Sequence, residues 1–373
     1  MRYRRLGRTE LPVSLLGVGC GYLAVLDRPE GERLLARAFE MGVNYFDGRY
    51  GDSSFKLRPL LARHRERCVV VTKTHETTAE AALRRVDEDL AELGSDYVDV
   101  YLLRTYTRDM LRQHLAPGGS MEGLERARAC GKVRHVGLSG HGDLTVLAEG
   151  IATGRVDVVL FPLNVVRREA LELLIPVAQE HDVGLAVMKP VSVGLIPPAV
   201  ALPWLANQPV HTMVPGVCSL EQLEADVAAL ERETLALSAE EEAEVERWRW
   251  RLDAETCRIC DEHCGPACQA GMYISGMVHH DVWYNYYRNL GLEAFLGYPW
   301  APWAKKGLLA HFERRLAKLR ACTHCRLCEQ HCPYGLPIMD MIDRMLDDHP
   351  PLIAALRERA WHETYRDARS PYD

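Results

Sequence analysis

Through residues 1–235, eight short apolar runs alternate with amphipathic stretches, and this rhythm constrains the fold more than any other feature. The runs are SLLGVGCG, VNYFD, CVVVTK, YVDVYLLR, VRHVGLS, VDVVLFP, VGLAVMKP and VHTMVPG. Stretches such as EGERLLARAFEMG, TAEAALRRVDEDLAELG and REALELLIPVAQEHD lie between them, with apolar residues at helical spacing. Eight strand–helix units in this length predict an α/β chain folded as a (β/α)8 TIM barrel, preceded by an N-terminal hairpin. A doubly wound open sheet is the alternative. It needs a G-x-G-x-x-G turn after the first strand, which GVGCGY only approximates.

The chain has 373 residues, 47% of them hydrophobic, enough for one large core and a smaller domain. A net charge of −7 and a pI near 6.1 imply no nucleic-acid or acidic-membrane surface. The start, MRYRRLGRTELPVS, has no apolar signal segment, and no run is long enough to span a bilayer. A soluble, cytoplasmic protein is expected. LSAEEEAEVERWRWRL reads as a linker helix within residues 236–256, opened by a capping box of Ser238 and Glu241. From residue 257 to 373 the composition turns to cysteines, aromatics and short helices, which marks a second domain.

Barrel active sites lie where strands end. The second run stops at Asp47, with Arg49 and Tyr50 just beyond, the third at Lys73 and the fourth at Arg104. The fifth gives Ser139 and His141, the sixth Asn164 and the seventh Lys189. A Lys and an Asp together can depress a phenol's pKa and make it a proton donor near neutral pH. That singles out Asp47, Tyr50 and Lys73. The plainer reading is a set of solvated loop charges.

YRRLGRTELPVSLLGVG, GVNYFDGRYGDS, VVVTKTH, GKVRHVGLSGHGD and VPGVCSLEQLE resemble the aldo-keto reductases over residues 1–235. The resemblance implies a barrel that binds NAD(P)H and reduces carbonyls with an Asp, Tyr, Lys and His tetrad. Asp47 and Lys73 match two members, and Tyr50 is the nearest match to the Tyr, although it follows Asp47 by three positions where the family usually has about five. Arg104 stands where the family has its His. An Arg cannot exchange protons at working pH and can only bind negative charge. Two readings of it stand: a grip on an anionic substrate, or an ion pair to Asp47 or Asp52. Leu160 stands where the family often has a Gln for the nicotinamide. The cofactor residues implied are Ser139, Asn164, Lys189, Pro215, Gly216, Val217, Ser219 and Gln222, without an Arg or Lys for a 2′-phosphate in the last loop.

Eight of the 12 cysteines fall in two groups. Cys322, Cys325, Cys328 and Cys332, followed by Pro333, have the C-x2-C-x2-C-x3-C-P spacing of bacterial ferredoxins, whose fourth thiolate ligates the other cluster. Cys257, Cys260, Cys264 and Cys268 supply a second group with looser spacing. Two [4Fe–4S] clusters are expected, with Cys332 joining Cys257, Cys260 and Cys264. Zinc is the alternative, but its ribbons use paired C-x2-C knuckles. His263, His324 and His331 are expected outside the ligand sets, and VWYNYYRNL as helix core and cluster shielding. Cys20, Cys68, Cys130 and Cys218 are scattered and read as small buried hydrophobes. The whole chain resembles the aldo-keto reductase subgroup with a C-terminal ferredoxin-like domain.

Nicotinamide moves two electrons and a cluster moves one, a mismatch that flavin usually bridges. Three functions are therefore compatible with the sequence. The first is a reductase or dehydrogenase with NAD(P)H in the barrel and an outside electron carrier such as a ferredoxin. The second has flavin, or the clusters alone, in place of nicotinamide. The third is a non-catalytic electron-transfer or scaffold subunit. In the first two the partner is a small-molecule carbonyl or hydroxyl substrate.

Overall fold

A computed structural model describes residues 1–48, 53–260, 263–278, 283–284, 287–288, 291–297 and 302–358. Arg49, Tyr50 and Asp52 lie outside them. The chain divides into two compact units, Met1–Trp248 and Arg249–Asp373.

The first unit opens with the expected hairpin, β1 (Tyr3–Arg5) paired antiparallel to β2 (Pro12–Ser14). Eight parallel strands follow: β3 (Val18–Gly19), β4 (Tyr45–Asp47), β5 (Val69–Thr74), β6 (Val98–Arg104), β7 (Val133–Ser139), β8 (Val158–Pro162), β9 (Gly184–Met188) and β10 (Thr212–Val214). They pair in chain order, each with the next. Parallel bridges Leu16–Met213 and Gly19–Gly216 bring the last strand back to the first. This is a (β/α)8 barrel, not a doubly wound sheet. The eight apolar runs are its eight strands.

Helices follow the strands because their sequences carry an apolar stripe and caps. Helix α1 (Arg28–Glu40) starts on a capping box of Asp27 and Glu30 and buries Leu34, Leu35 and Ala38. The helix Ala79–Leu93 is capped by Thr78 and ends at Gly94, whose φ of +62° suits a residue without a Cβ. The predicted linker helix runs over Ala239–Asp253, and both bonds of its capping box form: Ser238 N–H donates to Glu241 Oε2 at 2.9 Å, and Glu241 N–H to Ser238 Oγ at 3.2 Å. The unit boundary falls within this helix.

Strand parity decides what enters the barrel. Tyr45, Val71, Leu102, Leu160, Ala186 and Val214 belong to one buried cluster inside it. Successive strand residues point to opposite sides, so residues two positions on face inward one layer higher. That layer contains Asp47, Lys73, Arg104, Met188 and Gly216. Gly137 lies below Ser139 in the same way, and a Cβ there would come within 2.1 Å of the Val158 carbonyl oxygen.

In the second unit, helices Ile274–Val278, Pro302–Leu319 and Ile338–Glu358 surround a core of Ile274, Phe295, Leu308, Phe312, Leu319, Ile342 and Leu356. Cys257, Cys264 and Cys328 are buried in that core, and Cys268, Cys322 and Cys332 pack against it. Of the aromatic run, Tyr284 is buried in the core, with Trp283 and Tyr287 against it, and Arg288 pairs with Glu255 at 3.0 Å; its other residues lie outside the described ones. Among the described residues no helix is long and apolar enough to cross a membrane.

Candidate active site

The barrel mouth is built around one ion pair. Lys73 Nζ lies 2.8 Å from each oxygen of Asp47. Asp47 is 5% exposed and Lys73 3% exposed. Two charges removed from water to this degree interact far more strongly than a surface pair. Cys20 sits beside them: burial first, then the Asp47 carboxylate, pushes its thiol well above the ordinary value. It is fully buried, and Cys68 and Cys218 are buried as expected too, whereas Cys130, at the end of a surface helix, is exposed against that expectation.

Arg104 ends β6, opposite Ser139 in register. Its backbone is held by a residue the sequence did not single out. His114, fully buried, places Nε2 3.0 Å from the Arg104 carbonyl and Nδ1 2.6 Å from Ser120 Oγ. A carbonyl only accepts, so Nε2 carries the proton and Nδ1 accepts from the Ser120 hydroxyl. Burial keeps this imidazole neutral by lowering its pKa. Arg104 Nη1 in turn lies 3.4 Å from Tyr106 Oη. The Tyr106 ring stands between His75 and His141, at centroid distances of 5.8 and 6.1 Å.

Arg167 is the second residue missed. It is 2% exposed and donates from Nη2 to the His141 carbonyl at 3.2 Å. Its loop is set by Asn164, whose Oδ1 accepts from the N–H groups of Val166 (3.0 Å) and Arg167 (2.9 Å). Asn164 Nδ2 donates to the Lys189 carbonyl at 3.1 Å. The Asn164 amide thus closes its own loop and ties it to the next one. His141 is the focus of these elements. Burial, then Lys189, Lys73, Arg167 and Arg104, hold its pKa well below the ordinary histidine value.

Lys189 and Ser192, at φ +56° and +47°, shape the loop after β9, where Ser192 is 1% exposed. Pro215, Gly216 and Val217 follow β10 and lead into the helix Leu220–Leu230. Ser219 caps that helix, its Oγ accepting from Gln222 N–H at 3.2 Å, while Gln222 Oε1 accepts from Cys218 N–H at 2.9 Å. A Cβ on Gly216 would lie 2.0 Å from the Tyr22 ring, so only glycine lets that ring lie on the loop. The Tyr22 segment is anchored from beneath by buried Lys56, which donates to the carbonyls of Leu23 and Leu26 at 2.8 and 2.9 Å.

The barrel's histidines give a pH prediction. His114, His135, His141 and His211 all have lowered pKa values, with burial the first cause in each; for His211 the value falls to about 4. The native state therefore refuses protons that the unfolded chain accepts below about pH 6.5, and barrel stability falls from there towards about pH 4. Asp226, pushed up to about 7 by burial, opposes this over the same range. Four histidines against one carboxyl leave a net loss on acidification. Urea unfolding across that window checks it, and a midpoint that stays level counts against it.

The cysteine groups share a local geometry. In the first C-x2-C step of each group the residue before the second cysteine is left-handed: Ile259 at φ +59° and His324 at +55°. Each donates its N–H back to the first cysteine, to Cys257 Sγ and Cys322 Sγ, both at 3.4 Å. A β-branched residue is strongly disfavoured at positive φ. Two unrelated sequences in the same costly turn point to a common demand on the sulfurs. The groups also reach across to each other. Cys325 accepts from the Leu327 backbone first, and also from the backbone of Gln269, next to Cys268; these bonds lower its pKa. Arg258, next to Cys257, lies over the ring of Tyr334, two residues after Cys332, at 5.1 Å. His324 pairs instead with Asp343 at 2.9 Å. None of the 12 cysteines is in a disulfide. Among the described residues no three His, Cys, Asp or Glu side chains converge on a single metal ion.

Known proteins match the barrel. Residues 16–199 match the model of the Aldo/keto reductase family. L-galactose dehydrogenase of Arabidopsis thaliana is 27% identical over 297 residues, covering 65% of this chain and 92% of that protein. The uncharacterized oxidoreductase YqkF of Bacillus subtilis is 24% identical over 213 residues, covering 52% and 67%. The holo form of aldo-keto reductase AKR11C1 from Bacillus halodurans superposes with a TM-score of 0.59 at 24% identity, over 66% of this chain and 96% of that one. An aldo/keto reductase from Klebsiella pneumoniae in complex with NADP and acetate gives 0.56 at 22% identity, over 66% and 94%.

Proposed function

The chain is an oxidoreductase whose residues 16–199 match the aldo/keto reductase family, and from that premise we propose that it interconverts a small carbonyl compound and its alcohol with NAD(P)H, while its tail carries two [4Fe–4S] clusters. The observation that carries the first part is the buried Lys73–Asp47 pair at the inner end of adjacent strands. A non-catalytic scaffold has no use for two charges held together out of water at a barrel mouth.

Bound nicotinamide would supply hydride, and the relative in complex with NADP supports that choice of cofactor. The loops after β9 and β10 (Lys189, Pro215, Gly216, Val217, Ser219 and Gln222) would hold it, with Ser139 on β7. The chain's own part is the proton at the substrate oxygen. Arg104 cannot exchange a proton, so this duty falls to Tyr50, with the Lys73 ammonium favouring its ionised form. Tyr50→Phe is expected to cost about 10²–10⁴-fold in turnover with the iron content unchanged. Near-normal turnover would move the acid's role to another phenol, and Tyr106, beside Arg104, is next in reach.

In the tail, the twin left-handed turns and their N–H to sulfur bonds suit thiolate ligands. Cys257, Cys260 and Cys264 would hold one cluster with Cys332, and Cys322, Cys325 and Cys328 the other with Cys268. The clusters would supply single electrons, exchanged with a carrier such as a ferredoxin in the cytoplasm. The absorption spectrum of anaerobically purified protein tests the whole reading. A broad shoulder near ~400 nm that changes on adding NAD(P)H is expected. Resolved flavin bands would replace nicotinamide by flavin, and a spectrum without the shoulder would remove the clusters.

A further inference from the structure

The charges at the barrel mouth say more about the substrate than the family does. Arg104 faces inward at the top of β6. Arg167 lies against the His141 backbone, and Lys189 is tied to the same loop through Asn164. Lys73 completes the group, with Asp47 answering its charge. All four cations act on the one neutral imidazole of His141. Two of them stand on backbone that is fixed beforehand, Arg104 by His114 and Arg167 by the Asn164 turn. The backbone that carries these two arginines is thus set before a ligand arrives, and a guanidinium grips a carboxylate through two parallel hydrogen bonds. A neutral carbonyl compound gains little from such a field. An anion gains a great deal where the walls exclude water.

We propose that the substrate is a hydroxy- or oxo-carboxylate whose carboxylate is held by Arg104 and Arg167 beside His141. This rests on the reading of the barrel mouth as the place of carbonyl chemistry. The same charges could serve a phosphate of the cofactor, so the test separates the two.

Full-length anaerobic protein is titrated calorimetrically with propanoate, its neutral counterpart propanamide, inorganic phosphate and NADP⁺. Propanoate should bind and propanamide should not. Arg104→Met and Arg167→Met should each weaken propanoate at least about tenfold, the loss expected for a charge-assisted hydrogen bond. Arg104→Lys should recover part of the affinity, and NADP⁺ binding should stay within about twofold. Equal binding of propanoate and propanamide would overturn the proposal, as would variants that bind propanoate normally. If the variants lose phosphate and NADP⁺ affinity instead, the charges serve the cofactor and the proposal also falls. If the unaltered protein binds propanoate in this charge-dependent way but not NADP⁺, the anion site stands and the nicotinamide reading fails. Circular dichroism confirms that each variant is folded. Should Arg167→Met not fold, Arg104→Met and Arg167→Lys carry the test.

Discussion

Lys73→Met is expected to lower turnover by about 10²–10⁴-fold and barrel stability by about 3–5 kcal/mol. Both effects come from one contact. Lys73 Nζ is 2.8 Å from both Asp47 oxygens, and neither residue exceeds 5% exposure. Removing the ammonium leaves a carboxylate buried beside Tyr45 and Cys20, whose own ionisation is already suppressed by burial and then by Asp47. Replacing both partners, Lys73→Met with Asp47→Leu, should return most of the stability, since no buried charge is then left alone. It should return none of the turnover. Urea unfolding and steady-state rates on the substrate of the unaltered protein separate these terms. A double variant as unstable as the single one would mean that packing, not charge, sets the cost. A single variant with ordinary turnover would remove the pair from the chemistry.

The second large effect lies in the tail. Cys268→Ser and Cys332→Ser should each lower iron from about eight to about four per chain, each by emptying the cluster held mainly by the other motif. Gln269 bonded to Cys325 and Arg258 over Tyr334 are the reasons: each motif's last cysteine lies next to the other motif. Paired variants test the wiring. Exchanged ligands predict that Cys268→Ser with Cys322→Ser removes one cluster, while Cys268→Ser with Cys257→Ser removes both. Ligation within each motif predicts the reverse. Iron and acid-labile sulfide analysis reads the outcome, and stoichiometric zinc without sulfide would reject clusters altogether.

The barrel was legible because strand periodicity and strand-end chemistry are local properties. VNYFD and CVVVTK already place Asp47 and Lys73 at strand ends, and closure of the sheet only brings them to 2.8 Å. Arg167 was not legible. It lies past the end of a strand, in an ordinary-looking VVRRE, and enters the mouth because the Asn164 side chain bends the loop. His114 was missed for a related reason: it sits on the helix Arg108–Leu115 and acts on the strand before it through a carbonyl. Asn164 stands out in the sequence by its type and place, while the turn that its amide closes has no local signature. In the tail, spacing alone pointed to the thiolates. The left-handed Ile259 could not be foreseen, since isoleucine is among the residues least expected there.

Strand parity has a consequence for how such a protein changes over generations. Each strand carries its chemistry on the last inward rung, directly above a filled layer of Tyr45, Val71, Leu102 and Val214. The lower layer determines whether the barrel forms, and the upper rung determines what it reacts with. An exchange at the top, at Arg104 for example, can therefore redirect an enzyme without retooling its foundation. The same separation tells an engineer where to diversify: the rung of Asp47, Lys73, Arg104 and Ser139 is open to selection for new substrates, while the layer beneath is best left alone.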